Sequence, residues 1–296
     1  MSVEIRDRKF VDAVGEAVEP ECIASGFGFC EGPVWDRAAQ RLVFSDMKHD
    51  HMRVWTPDGR IATFRKPSNK VNGNALDRDG RLVSCEHATS RLVRQEPDGR
   101  MTVLASHYGD RALNSPNDVV VRSDGAIYFI DPTYGRVRED VGLVRSLELD
   151  FRGVFRCDPV TGRLDLLADD FEQPNGLCFS VDEQRLFVND TMRRHIRVFD
   201  VRADGTTGGG RMWAETIGQL PGVPDGMKVD EAGNVYCTGP GGIHVFDPEG
   251  HCLGVVLLPE RVTNFCWGGA VRTTLYVTGF TSLYRVSTRL RGHLSW

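Results

Sequence analysis

The chain has 296 residues, a formal net charge of −5, an apolar fraction of 41% and a charged fraction of 26%, the profile of an ordinary soluble globular protein. Without a Lys/Arg cluster it is a poor match for nucleic acid, whose phosphates demand a basic stripe. No apolar run approaches the ~18 residues that cross a bilayer, and the N-terminus MSVEIRDRKFVDAVGEAVEPE scatters charge where a signal peptide needs an apolar core, so no membrane partner and a cytoplasmic location are expected.

From Glu31 onward one pattern is written six times. EGPVWDRAAQRLVFSD begins at Glu31, NGNALDRDGRLVSCE at Asn72, NDVVVRSDGAIYFID at Asn117, NGLCFSVDEQRLFVND at Asn175, DGMKVDEAGNVYCTG at Asp225 and NFCWGGAVRTTLYVTG at Asn264. Each copy holds two short apolar runs rich in β-branched and aromatic residues, broken by turn residues. A second, outer pair of runs follows, as in MRVWTPDGRIATF and GVFRCDPVTGRLDLL. Asp-Gly dipeptides at 58–59, 79–80, 98–99, 124–125 and 204–205 are hairpin signals, because both residues tolerate positive φ. Four strands per unit at this period predict an all-β fold, a six-bladed β-propeller around a central channel. One domain over 1–296 is expected, with segment 1–27 closing the last blade. The longest unit carries RVREDVGLVRSLELDFRG, an expected excursion at the rim of the third blade, and residues 132–153 are expected to shape the substrate.

The first letters of the copies are Glu31, Asn72, Asn117, Asn175, Asp225 and Asn264. A single Asn-Gly or Asp-Gly is ordinary turn chemistry. Six in register, one of them a Glu before Gly-Pro, are not explained by turns. Carried on innermost strands, six oxygen-bearing side chains would converge on the channel. An all-oxygen set suits a hard divalent cation, calcium before Mg2+, Mn2+, Zn2+ or Fe2+, since calcium accepts neutral carbonyls in irregular geometry. His87 follows an inner strand and titrates near working pH, which makes it a candidate base. Asn72, Asn74 and Asn114 are candidate donors to sugar hydroxyls, and Tyr134, Asp131 and Asp190 are placed near one channel mouth. His49 and His51 read as a solvated turn. The eight cysteines form no CxxC pair and read as buried structural thiols; Trp35, Trp55, Trp213 and Trp267 read as packing between blades.

The stretches EGPVW, NGNALD, RLVSCEH, LNSPNDVVVRSDGAIYFIDPTYG, QPNGLCFS and VPDGMKVD resemble the regucalcin/gluconolactonase family of six-bladed propeller lactonases, nearest its bacterial gluconolactonase branch. The resemblance implies metal ligands at Glu31, Asn175 and Asp225, with Asn117 completing the shell or facing substrate. The related diisopropylfluorophosphatases share a Glu-Asn-Asn-Asp quartet but carry a histidine on the sixth blade, where this chain has Asn264. The animal regucalcin pattern has an arginine at the position of Ser115, so that sugar contact is lost or supplied by another group.

The implied reaction is hydrolysis of a sugar lactone or similar small cyclic ester, with a divalent cation polarising the carbonyl and Asp225 or His87 as base. Asn117, Asn114, Asn72, Asn74, Tyr134 and Asn264 are the expected substrate contacts. The alternatives are phosphotriester hydrolysis on the same metal site, or a non-enzymatic calcium-binding propeller. Oligomeric state stays open.

Overall fold

The computed structural model describes residues 2–294. Six antiparallel sheets of four core strands form the ring. Blade one comprises Cys30–Asp36, Arg41–Asp46, His51–Trp55 and Ile61–Arg65, and blade two Val71–Leu76, Leu82–Glu86, Arg91–Gln95 and Met101–Ala105. Blade three comprises Val119–Val121, Ile127–Asp131, Gly153–Cys157 and Leu164–Ala168, and blade four Pro174–Phe179, Arg185–Asp190, His195–Val201 and Thr207–Glu215. Blade five is built from Met227–Val229, Val235–Gly239, Gly242–Phe246 and Cys252–Leu257, and blade six from Val262–Gly268, Thr274–Gly279 and Ser282–Ser287. The molecule is a six-bladed β-propeller. No helix among the described residues is long and apolar enough to cross a membrane.

The N-terminal segment divides between two blades. Glu21–Ser25 pairs with Ser282–Ser287 as the outer strand of blade six, whereas Val3–Ile5 adds a fifth strand to blade five through Cys252–Leu257. Between them the short helix Lys9–Ala13 inserts the fully buried Phe10 into the core shared by blades five and six.

The apolar face of each strand packs sideways against the neighbouring blade, so the core is six wedges rather than one. Val83, Cys85 and Leu92 of blade two meet Val119, Ile127 and Phe155 of blade three. Trp35 of blade one stacks on Tyr276 of blade six with ring centroids 4.8 Å apart and planes 7° from parallel, closing the ring. Six cysteines lie buried in these walls, but Cys22 is exposed and Cys252 partly so, because both belong to outer strands. In the Asp-Gly hairpins only glycine takes positive φ, +91° at Gly125. Asp124 instead accepts the Ala126 N–H at 2.9 Å, and Asp58, Asp98 and Asp204 do the same for the residue two positions on. The carboxylate closes the turn, so the aspartate has no need of the left-handed region.

Irregularities concentrate where the repeats open. The inner-strand ladders shift register between Glu31 and Val34, Val71 and Asn74, Pro174 and Leu177, and Val262 and Asn264. In blades three and five pairing begins only at Val119 and Met227, two residues after Asn117 and Asp225. A bulge or late start releases a side chain from strict in-and-out alternation, and here it frees the opening residues to turn toward the axis.

Candidate functional site

The glycine after four of the opening residues is there for space. A Cβ on Gly32 would lie 2.0 Å from the Asn72 carbonyl oxygen, on Gly73 2.5 Å from that of Asn117, and on Gly176 1.9 Å from that of Asp225. On Gly226 it would lie 2.1 Å from Asn264 Oδ1. Asn72, Asn117, Asp225 and Asn264 are therefore each seated in the gap left by the missing side chain of the blade before, and the ring of polar groups can close tightly.

Buried acids hold the loops that lead into these residues. Asp46 Oδ1 accepts the Gly28 N–H at 3.0 Å, Asp131 Oδ2 that of Asn114 at 2.7 Å and Asp190 Oδ2 that of Glu172 at 2.8 Å. Asp131 and Asp190, expected near a channel mouth, are fully buried as anchors two or three residues ahead of Asn117 and Asn175. Burial lifts the Asp131 carboxyl to about 7.

Glu31 and Asp225, 2% and 5% exposed, line the same small cavity, and the charge of Glu31 acts on Asp225. Glu31 Oε2 accepts the Gly32 N–H at 2.7 Å and an Asn264 amide hydrogen at 3.2 Å. Burial pushes the Glu31 carboxyl up to about 7, against the lowering effect of the Gly32 hydrogen bond. Burial, then the neighbouring Glu31 charge, raises Asp225 well above the ordinary carboxylate range. The remaining opening residues form a chain around the axis. Asn72 Nδ2 donates to Asn117 Oδ1 at 2.6 Å, Asn117 Nδ2 to Asn175 Oδ1 at 2.6 Å, and Asn175 Nδ2 to Thr191 Oγ1 at 2.9 Å. His87 completes this belt. Its Nδ1 faces the Val141 carbonyl at 3.1 Å and its Nε2 faces an amide oxygen, both of which can only accept, so the single proton of the neutral ring satisfies one of the two. Nε2 points to Asn117 Oδ1 at 3.0 Å and Asn72 Nδ2 at 3.3 Å. Burial lowers the imidazole to about 4, which keeps it neutral at physiological pH.

These groups line a cavity of about 60 Å³ together with Phe29, Met47, Tyr134, Arg138, Val141 and Arg261. Tyr134, Arg138 and Val141 come from the excursion between Ile127–Asp131 and Gly153–Cys157, which folds over the channel mouth. Ser115 pins it there: its Oγ donates to the Pro132 carbonyl at 2.6 Å and accepts the Gly135 N–H at 3.0 Å. The Tyr134 hydroxyl is buried without a hydrogen-bond partner among the described residues, and burial raises it to about 12.

Of the expected substrate contacts, Asn72, Asn117 and Tyr134 line this cavity, with Glu31, Asn175, Asp225 and His87. Asn264 sits beneath Glu31. Asn114 is engaged elsewhere, its amide donating to the Asp131 and Phe151 carbonyls at 3.1 and 2.9 Å. Asn74 Nδ2 donates to the Gly32 carbonyl at 2.9 Å and Asn74 Oδ1 accepts from Ser84 at 2.7 Å, so Asn74 ties blade two to blade one, while Asn114 fastens the entry to blade three. His51, read as solvated, is buried, its Nε2 2.9 Å from Thr63 Oγ1, because it starts the third strand of blade one. Arg138 and Arg261 went unread in the sequence. Arg138 pairs with Asp140 through two contacts of 3.2 and 2.7 Å, and the Arg261 guanidinium lies 5.1 Å from the Phe280 ring centroid. Nothing in the repeat marks either, since one belongs to the excursion and the other to a link between blades. Asp118, fully buried behind Asn117 with one oxygen unpartnered among the described residues, was visible only as the second letter of NDVVV.

The chain's relatives carry this geometry into a family. Residues 29–281 match the SMP-30/Gluconolactonase/LRE-like region. A gluconolactonase of Zymomonas mobilis is 34% identical over 95% of this chain and 85% of its own length. A pentonolactonase of Haloferax volcanii is 26% identical over 84% and 80%. Among solved structures, a gluconolactonase from Xanthomonas campestris superposes with a TM-score of 0.90 at 33% identity, covering 97% of this chain and 95% of that one. With a matched region that runs from the first blade to the last, the chain belongs to the SMP-30/gluconolactonase/LRE-like family of β-propellers.

Proposed function

We propose that this protein is a lactonase that opens a sugar lactone or similar small cyclic ester. The observation that carries the reading is the pair of buried carboxylates, Glu31 and Asp225, on the wall of one cavity of about 60 Å³ together with Asn117 and Asn175. Two like charges out of water raise each other's proton affinity, and a divalent cation between them would remove that cost. The donor set is oxygen throughout, and calcium fits it best. Glu31, Asn117, Asn175 and Asp225 would hold the ion, which when bound supplies Lewis-acid polarisation of an ester carbonyl.

The rest of the chemistry belongs to the chain. Phe29, Met47 and Val141 give the cavity an apolar wall that limits water. Arg138, Arg261, Tyr134 and Asn72 bring donors to its rim, suited to the hydroxyls of a polyhydroxylated ring; these take the place of the guanidinium absent at Ser115. A proton acceptor, Asp225 or the His87 imidazole, takes a proton from water as the oxygen adds to the carbonyl carbon. Collapse of the tetrahedral adduct breaks the ring C–O bond, and the returned proton leaves the ring oxygen as a hydroxyl of the product hydroxy acid.

The test is proton release from glucono-1,5-lactone and a pentonolactone by the wild type, chelator-treated protein, Asp225→Ala and Arg261→Gln. Activity is expected to vanish in the second and third. In Arg261→Gln, KM should rise about tenfold with kcat largely kept, as for a binding contact. Wild-type rates after chelation and in Asp225→Ala would sink the proposal.

A further inference from the structure

The same inner strands that begin at the Glu31 site end around a second cavity of about 220 Å³. Glu31 lines the first and Trp35 the second, and four residues of strand put them ~13 Å apart along the channel. The walls of this lower cup are apolar, with Trp35, Leu76, Val120, Phe179 and Trp267 from five different blades. Its charged residues are all of one kind. Arg37 and Arg272 stand at the edge beside His293, which burial holds below its ordinary value, and Lys228 at the floor; no Asp or Glu among the described residues lines the cup, although acids outnumber bases in the chain, 41 to 36. Lys228 has no carboxylate within ion-pair distance among the described residues. Its Nζ donates to the Met227 carbonyl at 2.9 Å and to Asn264 Oδ1 at 3.2 Å.

We propose that this cup binds a small organic anion with a flat apolar body, an aromatic carboxylate of one ring, its carboxylate on Lys228 and its ring between Trp35 and Trp267. The volume lies below the ~300 Å³ at which pockets for drug-sized ligands begin, which fits a single ring. The Lys228 ammonium has only neutral hydrogen-bond partners, with the buried Asp118 and Glu31 carboxylates acting on it from beyond ion-pair distance, and it gains a charge-assisted hydrogen bond from an incoming carboxylate. The cup also reaches the upper site. Asn264 accepts from Lys228 with Oδ1 and donates to Glu31 Oε2 with Nδ2, at 3.2 Å each. A carboxylate on Lys228 competes for the ammonium that Asn264 Oδ1 now accepts from, so occupancy of the cup alters the group that orients Glu31. The binding claim stands apart from the lactonase reading.

Phenylacetate, phenylacetamide and 2-phenylethylamine, titrated by calorimetry and by Trp35/Trp267 fluorescence, test it on the intact protein. Phenylacetate should bind one to one, at least about tenfold tighter than the amide, and the ammonium compound should not bind. Lys228→Met should cost about tenfold or more. Arg37→Glu, at an exposed edge position, and Val120→Trp, which fills the cup, should each weaken phenylacetate with the unfolding midpoint held near wild type. Equal affinity for anion and amide, wild-type affinity in Arg37→Glu and Val120→Trp, or displacement of phenylacetate by glucono-1,5-lactone would overturn the assignment.

Discussion

Replacing Glu31 by Gln should make the cation-free protein more stable while abolishing its response to cation. The fold holds the Glu31 carboxyl at about 7 against an ordinary 4.5. A raised carboxyl binds protons more tightly folded than unfolded, so stability is lost as pH rises from about 4.5 to 7, and the loss is complete above that. The shift corresponds to a cost of up to about 3 kcal/mol at neutral pH, an upper figure because Glu31 and Asp225 titrate together. Glutamine keeps the shape, and its carbonyl can still accept the Gly32 N–H now bonded at 2.7 Å. For a chain of this length the gain amounts to about 5 °C in unfolding midpoint at most. Calcium at a hundred times its Kd should stabilise the wild type by about 2.7 kcal/mol and leave Glu31→Gln unmoved. The assay is thermal or urea unfolding at pH 8 and pH 5, with chelator and with calcium. The variant's advantage in chelator should shrink at pH 5. A variant less stable than wild type in chelator at pH 8, or one that keeps the calcium shift, refutes the reasoning.

Two further outcomes follow from the same geometry. Gly176→Ala would bring a methyl to 1.9 Å from the Asp225 carbonyl oxygen, so the variant should lose calcium binding and lactone turnover at least about a hundredfold, or fail to fold; near-normal binding by a folded variant would refute the seating argument. His87 is held neutral by burial, its folded value about 4 against 6.5. Folded protein binds fewer protons there than unfolded, so stability falls as pH drops from 6.5 toward 4, by up to about 3 kcal/mol. His87→Gln should flatten that acid limb in denaturant titrations, and an unchanged limb counts against it.

The fold was legible because the repeat is written twice over, in apolar runs of strand length and in one opening letter per blade. The positions of those letters carried through to the channel, since each marks the place where the inner ladder shifts register or has yet to start. What could not be read was direction and depth. Asn114 and Asn74 look like their neighbours as letters, yet one is consumed by carbonyls of the excursion and the other by the seam between two blades. Asp131 and Asp190, at the ends of second strands, looked like mouth residues, but a strand end can point either way, and they, like Asp46, turn back to anchor loops. Their loop N–H partners lie some 17 or 18 residues back in the chain, beyond any local pattern. Arg138, Arg261 and Lys228 escaped for a related reason. A lone long cation reads as solvated until tertiary structure shows the cavity it borders.

The ring closes where the ends of the fold meet, and the cation residues straddle that seam. Glu31 belongs to the first blade, while Asn264, its hydrogen-bond partner 233 positions away, belongs to the last, and Asp225 to the blade before it. A metal ion gripping Glu31 and Asp225 would act as a clasp across the part of the circle where the two ends of the chain meet, and where closure otherwise rests on the ladder between Glu21–Ser25 and Ser282–Ser287 and on the Trp35–Tyr276 stack. Its binding energy would then oppose the opening of the circle more than the melting of any one sheet. Unfolding rate, more than melting temperature, is where the ion's hold on this molecule would be felt.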